Sequence, residues 1–256
     1  CSVGLRRKAV FLVSQKQGPE TETILLDAVR NDPDAEVREQ AVFWLSQVDS
    51  DRTAVLLDSL LRSSTDRQIQ EKALFALSQH RSARAGEALR NYVQRADAPV
   101  ELREQAIFWL GQRRSEETAA FLRDMYGRLT ERELREKVIF SLSQQRSADN
   151  TRWLLDRARD PAEDLELRKQ ALFWAGQGGA PIADLVAIYD QMPDREMREQ
   201  LVFVYSQRKE SAAIDKLFAI ARSDPDRELR AKAIFWLGQS KDPRVVQFLS
   251  DLINEP

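Results

Sequence analysis

Phenylalanine and glutamine recur together, four residues apart, along the whole chain. The pairs are Phe43/Gln47, Phe75/Gln79, Phe108/Gln112, Phe140/Gln144, Phe173/Gln177 and Phe203/Gln207, with further pairs at Phe11/Gln15 and Phe235/Gln239. On a helix, residues four apart lie one turn apart on the same face, so each pair places a ring beside an amide that donates and accepts hydrogen bonds. Such pairs suit an extended peptide, whose backbone would bond the amides while its side chains contact the rings. Lys72, Gln105 and Lys137 each precede a ring by three residues and are predicted to line the same surface.

Residues suited to covalent or acid–base chemistry are scarce. The chain has one cysteine, Cys1, and one histidine, His80, which excludes an intramolecular disulfide, a cysteine-based zinc site and a plausible Ser-His-Asp set. The GQGG segment Gly176–Gly179 is predicted to be an interhelical turn and not a phosphate-binding loop. No carboxylate departs from the repeat as a catalytic group would. We therefore expect a protein that is not an enzyme and that needs neither a cofactor nor a metal.

Charge and hydropathy narrow the classes of partner. The 39 Lys and Arg residues nearly balance the 41 Asp and Glu residues, so no global field favours nucleic acid or an acidic membrane surface. Glutamates recur four residues before a phenylalanine, at Glu39, Glu71, Glu104, Glu136 and Glu199. No apolar run reaches the roughly 18 residues of a membrane-spanning helix, so membrane insertion is not expected. A soluble protein is predicted, with a cytoplasmic location favoured over export because no signal-peptide apolar region begins the chain.

An eleven-residue block occurs eight times at intervals of 30 to 33 residues. The copies are LRRKAVFLVSQ from Leu5, VREQAVFWLSQ from Val37, IQEKALFALSQ from Ile69, LREQAIFWLGQ from Leu102, LREKVIFSLSQ from Leu134, LRKQALFWAGQ from Leu167, MREQLVFVYSQ from Met197 and LRAKAIFWLGQ from Leu229. We number the first residue of each block as position 0. Phenylalanine then occupies position 6 and glutamine position 10 in every copy. A fixed period of this length is the signature of a repeat architecture.

The block and the segment between blocks are both predicted to be helices. Positions 0, 4, 5 and 8 are apolar and fall on one stripe of a helix, and Asp-Pro-Asp turns before several blocks favour helix initiation. The segments from Thr53, Glu117 and Ala212 are also amphipathic over about three turns. Helix pairs of this kind bury their apolar faces only by stacking on their neighbours. The sequence predicts one all-α domain over residues 1–256, a right-handed solenoid of about eight two-helix repeats.

The block resembles the HEAT family, in particular the short bacterial form related to phycobilin lyase repeats, whose second helix carries V-R-x-x-A-A-x-A-L-G. The resemblance covers the whole chain and implies an Arg–Asp ladder from the arginine at position 1, and a concave surface lined by positions 2, 3, 6 and 10. FWLSQ from Phe43 and FALSQ from Phe75 also resemble the W-A-L-S-N of importin-alpha-type armadillo repeats, with Phe for Trp and Gln for Asn. The chain is therefore predicted to be a scaffold that binds a protein or peptide in a concave groove.

Several alternatives stay open. The position-6 rings could pack between repeats, with the glutamines capping or bridging helices. Tryptophan occupies position 7 only in alternate copies, at Trp44, Trp109, Trp174 and Trp236, and is predicted to interlock with smaller neighbours. Other functions that share this repeat type are a bilin-lyase-like or other small-molecule-handling enzyme and a DNA-binding protein. No polar capping repeat is recognised, so the chain could be an excerpt of a longer one, or its ends could self-associate.

Overall fold

The structure is a computed structural model that describes residues 2–16, 18–48 and 50–254, so Cys1 lies outside the described residues. In these ranges the chain forms sixteen α-helices and no strand. The odd-numbered helices are α1 (Val3–Ser14), α3 (Ala35–Ser46), α5 (Arg67–Gln79), α7 (Val100–Gln112), α9 (Arg132–Ser143), α11 (Leu165–Gln177), α13 (Arg195–Ser206) and α15 (Arg227–Gln239). The even-numbered helices are α2 (Pro19–Asn31), α4 (Asp51–Ser63), α6 (Ala83–Val93), α8 (Glu116–Tyr126), α10 (Ala148–Arg159), α12 (Ile182–Gln191), α14 (Ser211–Ser223) and α16 (Arg244–Asn254).

The odd helices carry the repeated block, and the even helices carry the segments between blocks. Side chains cap both kinds at their N-termini, because the first backbone N–H groups of a helix have no partner within it. Asp66 accepts hydrogen bonds from the N–H groups of Gln68 and Ile69 before α5, and Ser115 accepts one from Thr118 before α8. The prediction of an all-α solenoid of about eight two-helix repeats is confirmed.

The helices fall into two compact units, Cys1–Ser141 and Leu142–Pro256, and each unit has its own core. Positions 0, 4, 5 and 8 of α3, α5, α7, α9, α11 and α13 contribute to that core, as predicted, whereas Leu5 at position 0 of α1 is exposed. In the first unit the side chains at these positions of α7 are Leu102, Ala106, Ile107 and Leu110, all fully buried. In the second unit the corresponding residues of α11 are Leu167, Ala171, Leu172 and Ala175, which are also buried. Burying one face of each odd helix leaves the opposite face of the same helix to solvent.

The arginines at position 1 form the predicted ladder. Five of the seven meet a carboxylate just before the next odd helix, in the pairs Arg6–Asp32 (2.9 Å), Arg38–Asp66 (3.1 Å), Arg103–Glu131 (2.6 Å), Arg168–Asp194 (2.8 Å) and Arg198–Asp224 (3.5 Å). Partial burial opposes ionisation of Asp66, but hydrogen bonds from Arg38 and from the Ile69 N–H hold its pKa below the usual value. The ladder therefore links consecutive repeats inside each unit and fixes their register.

Glycine at position 9 lets two neighbouring odd helices approach closely. A Cβ at Gly111 would lie 2.6 Å from the Ser141 Cβ, and a Cβ at Gly176 would lie 2.5 Å from the Val204 Cγ1. The prediction that Gly176–Gly179 forms a turn is wrong in its first half, because α11 continues through Gln177 and only the two residues after it turn. Gly176 is thus a packing residue, because its missing side chain leaves room for α13, and it does not bend the chain.

The close approach makes Gly176→Ala a specific test of helix spacing. We expect a loss of about 1–3 kcal/mol in the free energy of unfolding, because the β-branched Val204 cannot rotate away from the added methyl. In a Val204→Ala background the same substitution should cost much less. The side-chain atom that remains at residue 204 is the Cβ, which lies 3.6 Å from the added methyl, an ordinary contact. Denaturant unfolding monitored by circular dichroism measures both.

Gly238→Ala is the matched control, since this position-9 glycine has nothing within 4 Å of the added atom. It should be neutral or stabilise by up to about 1 kcal/mol through higher helix propensity. Equal effects of Gly176→Ala and Gly238→Ala would contradict the packing role assigned to Gly176.

Candidate functional site

The aromatic rings of position 6 lie on the solvent side of the odd helices and are only partly covered. We call the surface formed by positions 6 and 10 the Phe/Gln face, and each unit has one. In the first unit, Phe43 is 54% exposed and Phe75 is 52% exposed, whereas Phe108 and Phe140 are half-buried. The rings therefore do not belong to the core, although neighbouring side chains hold them.

The glutamines of position 10 have a fixed orientation where serine precedes them. Gln47 Nε2 donates a hydrogen bond to Ser46 Oγ (3.2 Å), which in turn donates to the Phe43 carbonyl (2.6 Å). The same chain of two bonds joins Gln79 to Ser78 (3.0 Å) and Ser78 to the Phe75 carbonyl (2.6 Å). These contacts hold the glutamine beside its own serine and neither cap a backbone carbonyl nor bridge to another helix. One N–H of each amide is engaged in this way, which leaves the second N–H and the amide oxygen for further hydrogen bonds.

Tryptophans at position 7 pack between the rings of adjacent repeats in the first unit. The Trp44 ring centroid lies 5.2 Å from Phe11 in the preceding repeat and 4.9 Å from Phe43 in its own. Trp109 lies 5.4 Å from Phe75 and 5.0 Å from Phe108 in the same way. Edge and tilted contacts of this kind are the favoured geometries of aromatic pairs. Each tryptophan therefore fixes two rings, which explains the period of two repeats.

The repeats without tryptophan meet their predecessor in two different ways. At α7–α9 the Phe108 and Phe140 rings stack with centroids 6.4 Å apart and an interplanar angle of 11°. At α3–α5 the Phe43 and Phe75 rings make no contact with each other within the described residues. The first junction has glycine at position 9 of its first helix, whereas the second has Ser46 there and only Ala76 at position 7 of its second helix. The α3–α5 junction is consequently left open.

The opening forms a cleft of about 210 Å³ at the C-terminal halves of α3 and α5, which we call the α3–α5 cleft. Its lining residues are Val42, Phe43, Ser46, Gln47, Lys72, Phe75, Ala76 and Gln79. Five of the predicted binding residues, two Phe/Gln pairs and Lys72, therefore surround one cavity. The pattern of rings and amides did not single out Val42, Ser46 and Ala76. The sequence does carry a signal for them, which is serine at position 9 of one copy followed by alanine at position 7 of the next. Of the junctions that follow a tryptophan-bearing copy, only this one has that combination.

A wider and more polar cleft of about 600 Å³ adjoins the α3–α5 cleft, and both share Phe43 and Lys72. Lys72 Nζ lies 3.0 Å from a Glu39 carboxylate oxygen, and Arg7 lies 2.7 Å from Glu36. The remaining predicted residues of this unit are elsewhere on the face. Gln112 is exposed, whereas Gln105 and Lys137 are half-buried. None of these three lines the α3–α5 cleft.

The second unit has a Phe/Gln face with the same construction. Phe173 and Phe203 stack at 6.2 Å, and Trp236 packs 5.5 Å from Phe203. The glutamines Gln177 and Gln207 are exposed, and Gln144 is half-buried with its amide nitrogen on Ser143.

A cleft of about 430 Å³ lies on this second face and has a strongly mixed charge. It is lined by Lys169, Glu196, Glu199, Gln200, Phe203, Lys232, Phe235 and Trp236. Lys232 forms an ion pair with Glu199. A hydrogen bond with Glu166 raises the pKa of the Lys169 ammonium, and the nearby Glu196 carboxylate adds to the effect. The lysine therefore stays charged at neutral pH and would favour a partner with polar or ionic groups.

The surroundings of the histidine are those of a structural residue. His80 is buried, with Nε2 3.2 Å from the Val48 carbonyl and Nδ1 accepting a hydrogen bond from the Ser82 N–H. In the described ranges, no group of three or more His, Cys, Asp or Glu residues could hold a metal ion. No helix in that part of the chain has the length and apolar character needed to cross a bilayer.

Comparisons with known proteins agree with this architecture. The family model for HEAT repeats matches residues 2–78, 21–104, 86–175 and 182–256. A comparison with curated proteins finds no match. Among solved structures, the chain is similar to YibA of Escherichia coli at 16% identity, covering 99% of this chain and 91% of that one with a TM-score of 0.50. At identities this low, such likeness shows the fold alone.

Two further solved structures are similar to the chain. One is Kap95p in complex with RanGDP, at 13% identity and a TM-score of 0.55, covering 95% of this chain and 39% of that one. The other is the CpcE–CpcF complex of phycocyanin lyase from Nostoc sp., at 18% identity and a TM-score of 0.43, covering 92% of this chain and 95% of that one.

The partial exposure of the rings predicts a small energetic role in folding. Phe75→Ala should lower the free energy of unfolding by about 1 kcal/mol or less, because half of the ring already contacts water. Leu74→Ala, one residue earlier in α5 and fully buried, should cost about 2–5 kcal/mol. Urea unfolding of both variants checks the difference. A loss for Phe75→Ala as large as that for Leu74→Ala would mean that the ring serves the fold and not a ligand.

Proposed function

The chain belongs to the HEAT-repeat family, and on that premise we propose that it is a non-enzymatic scaffold that binds a protein or an extended peptide through its Phe/Gln face. The observation that carries the proposal is the row of partly exposed rings in the first unit, held by tryptophans at fixed spacing. Phe43 and Phe75 lie outside the buried core, so burial in the core does not account for aromatic residues at these positions. Contiguous exposed aromatic surface in a folded protein marks an interaction site.

The amides beside the rings support a partner with an extended backbone. Gln47 and Gln79 each use one amide N–H on the preceding serine and keep an oxygen acceptor and a second N–H donor. Backbone N–H groups of a bound segment could donate to these oxygens while its side chains contact the rings. This mode repeats from one helix to the next and tolerates different sequences. Rings and amides that are already ordered lose little conformational entropy when a ligand binds.

A binding role also agrees with what the chain offers for chemistry. His80 uses both ring nitrogens in hydrogen bonds to the backbone, and its side chain is buried. Kap95p, which has a similar fold, binds RanGDP, so this architecture is compatible with protein partners. A fold does not determine a function, and the proposal rests on the Phe/Gln face.

Affinity capture with paired variants tests the proposal. The binding variant is Phe75→Ala/Phe108→Ala/Phe140→Ala, which removes three rings from the Phe/Gln face of the first unit. We expect proteins captured by the wild-type chain to be lost, with recovery reduced by about tenfold or more, because aromatic residues dominate interface energetics. Quantitative mass spectrometry of the captured proteins gives the measurement, and circular dichroism confirms that helical content is retained.

Ile24→Ala/Val55→Ala is the matched control, because these residues of α2 and α4 are about as exposed as Phe75 but belong to even helices. The control should capture the same proteins as the wild type. Equal recovery with the triple variant, or equal loss with the control, would exclude the Phe/Gln face as the binding surface.

A further inference from the structure

The α3–α5 cleft has the dimensions of a single side chain. An enclosed apolar cavity of about 150 Å³ accepts a benzene molecule, and the cleft measures about 210 Å³. Its walls are the Phe43 and Phe75 rings, and Val42 and Ala76 also line it. A large aliphatic or aromatic side chain would displace water from these surfaces and fill the space, whereas a polar one would lose its hydration without replacement.

Polar groups at the rim of the cleft would orient whatever enters it. Gln47 and Gln79 each contribute an amide oxygen that accepts hydrogen bonds and a second N–H donor, because one N–H of each amide is bound to the preceding serine. Among the described residues that line the cleft, Lys72 carries the one charge. Its ammonium has three N–H donors, of which the Glu39 carboxylate at 3.0 Å engages one side. The rim therefore fits N–H donors near the glutamines and a negative charge near Lys72.

We propose that the α3–α5 cleft is a specificity pocket for a short linear peptide motif in which a large apolar residue neighbours an aspartate or glutamate. The apolar side chain lies between Phe43 and Phe75, backbone N–H groups of the segment donate to Gln47 and Gln79, and the acidic side chain binds Lys72. This inference rests on the proposed function and names the chemistry of its partner. The other ring contacts along the face are sequence-tolerant, so this pocket supplies the selectivity.

Charge and junction geometry argue against other occupants of the cleft. A lysine or arginine side chain entering the cleft would lose its hydration between apolar walls, with no carboxylate among the described lining residues to replace it. The α7–α9 junction offers no comparable space, because Phe108 and Phe140 stack directly and Ser141 packs against Gly111. A single apolar anchor at α3–α5 is thus the arrangement that the first unit accommodates.

Selection from a phage library of linear random peptides tests the motif, using the full chain as bait. We expect enriched peptides to share Leu, Met or Phe next to Asp or Glu. Synthetic peptides from the selection should bind at least tenfold more weakly when the apolar residue is changed to alanine. Changing the acidic residue to its amide should weaken binding to the wild type but not to Lys72→Met. Fluorescence anisotropy measures each affinity, and the peptide changes leave the protein's folding untouched.

A cleft-closing variant, Ser46→Gly/Ala76→Val, tests the location. It introduces the residues that this chain uses at the α11–α13 junction, where Gly176 and Val204 accompany stacked rings. We expect it to weaken binding of the selected peptides at least tenfold with helical content retained. Phe235→Ala, which removes an exposed ring from the second unit, is the control and should leave the affinity unchanged.

The outcomes separate this inference from the proposed function. Enriched peptides that lack the apolar–acidic pair, or that bind the cleft-closing variant as well as the wild type, would overturn the pocket while leaving the Phe/Gln face as a binding surface. A selection that enriches no peptide would also overturn it. The capture experiment with the triple phenylalanine variant is independent of the peptide selection. If that variant captured the same proteins as the wild type, the result would contradict the proposed function itself.

Discussion

Consecutive odd helices pack against each other through the residue at position 9 of one helix and the residue at position 7 of the next, as in the pairs Gly111–Ser141 and Gly176–Val204. Where glycine meets Ser141 or Val204, the backbone approaches so closely that an added methyl would overlap a neighbour. Where Ser46 faces the α5 helix, glycine is absent and Ala76 is small. At the two junctions with this close approach the rings of adjacent repeats stack, whereas the α3–α5 cleft lies beside Phe43 and Phe75.

Tryptophan adds a second constraint to the same surface. An indole at position 7 reaches the ring of its own repeat and that of the preceding one, so two phenylalanines are held by one residue. The cooperation of indole and ring explains how aromatic groups remain half-exposed without collapsing onto each other. Serines at position 9 contribute as well, because they bind the carbonyl of position 6 and the amide of position 10. The face is therefore ordered before any partner arrives.

Much of this arrangement could be predicted from the sequence, because it depends on contacts within one helix or on a strict period. The stripe of positions 0, 4, 5 and 8 predicted the buried core, and the arginines at position 1 predicted the ladder. Helix spacing could not be predicted in the same way, since it depends on pairs of residues about thirty positions apart. For that reason Gly176 was interpreted as a turn residue, and the cleft between Phe43 and Phe75 was not anticipated.

The most direct test of this account is whether the α3–α5 junction is open while the α7–α9 junction is closed. Crystals of the chain pressurised with xenon measure this, because xenon occupies apolar cavities that offer no hydrogen bonds. The account predicts anomalous scattering density between Phe43 and Phe75 and none between Phe108 and Phe140. Density at both junctions, or no density beside Phe43 and Phe75, would contradict it.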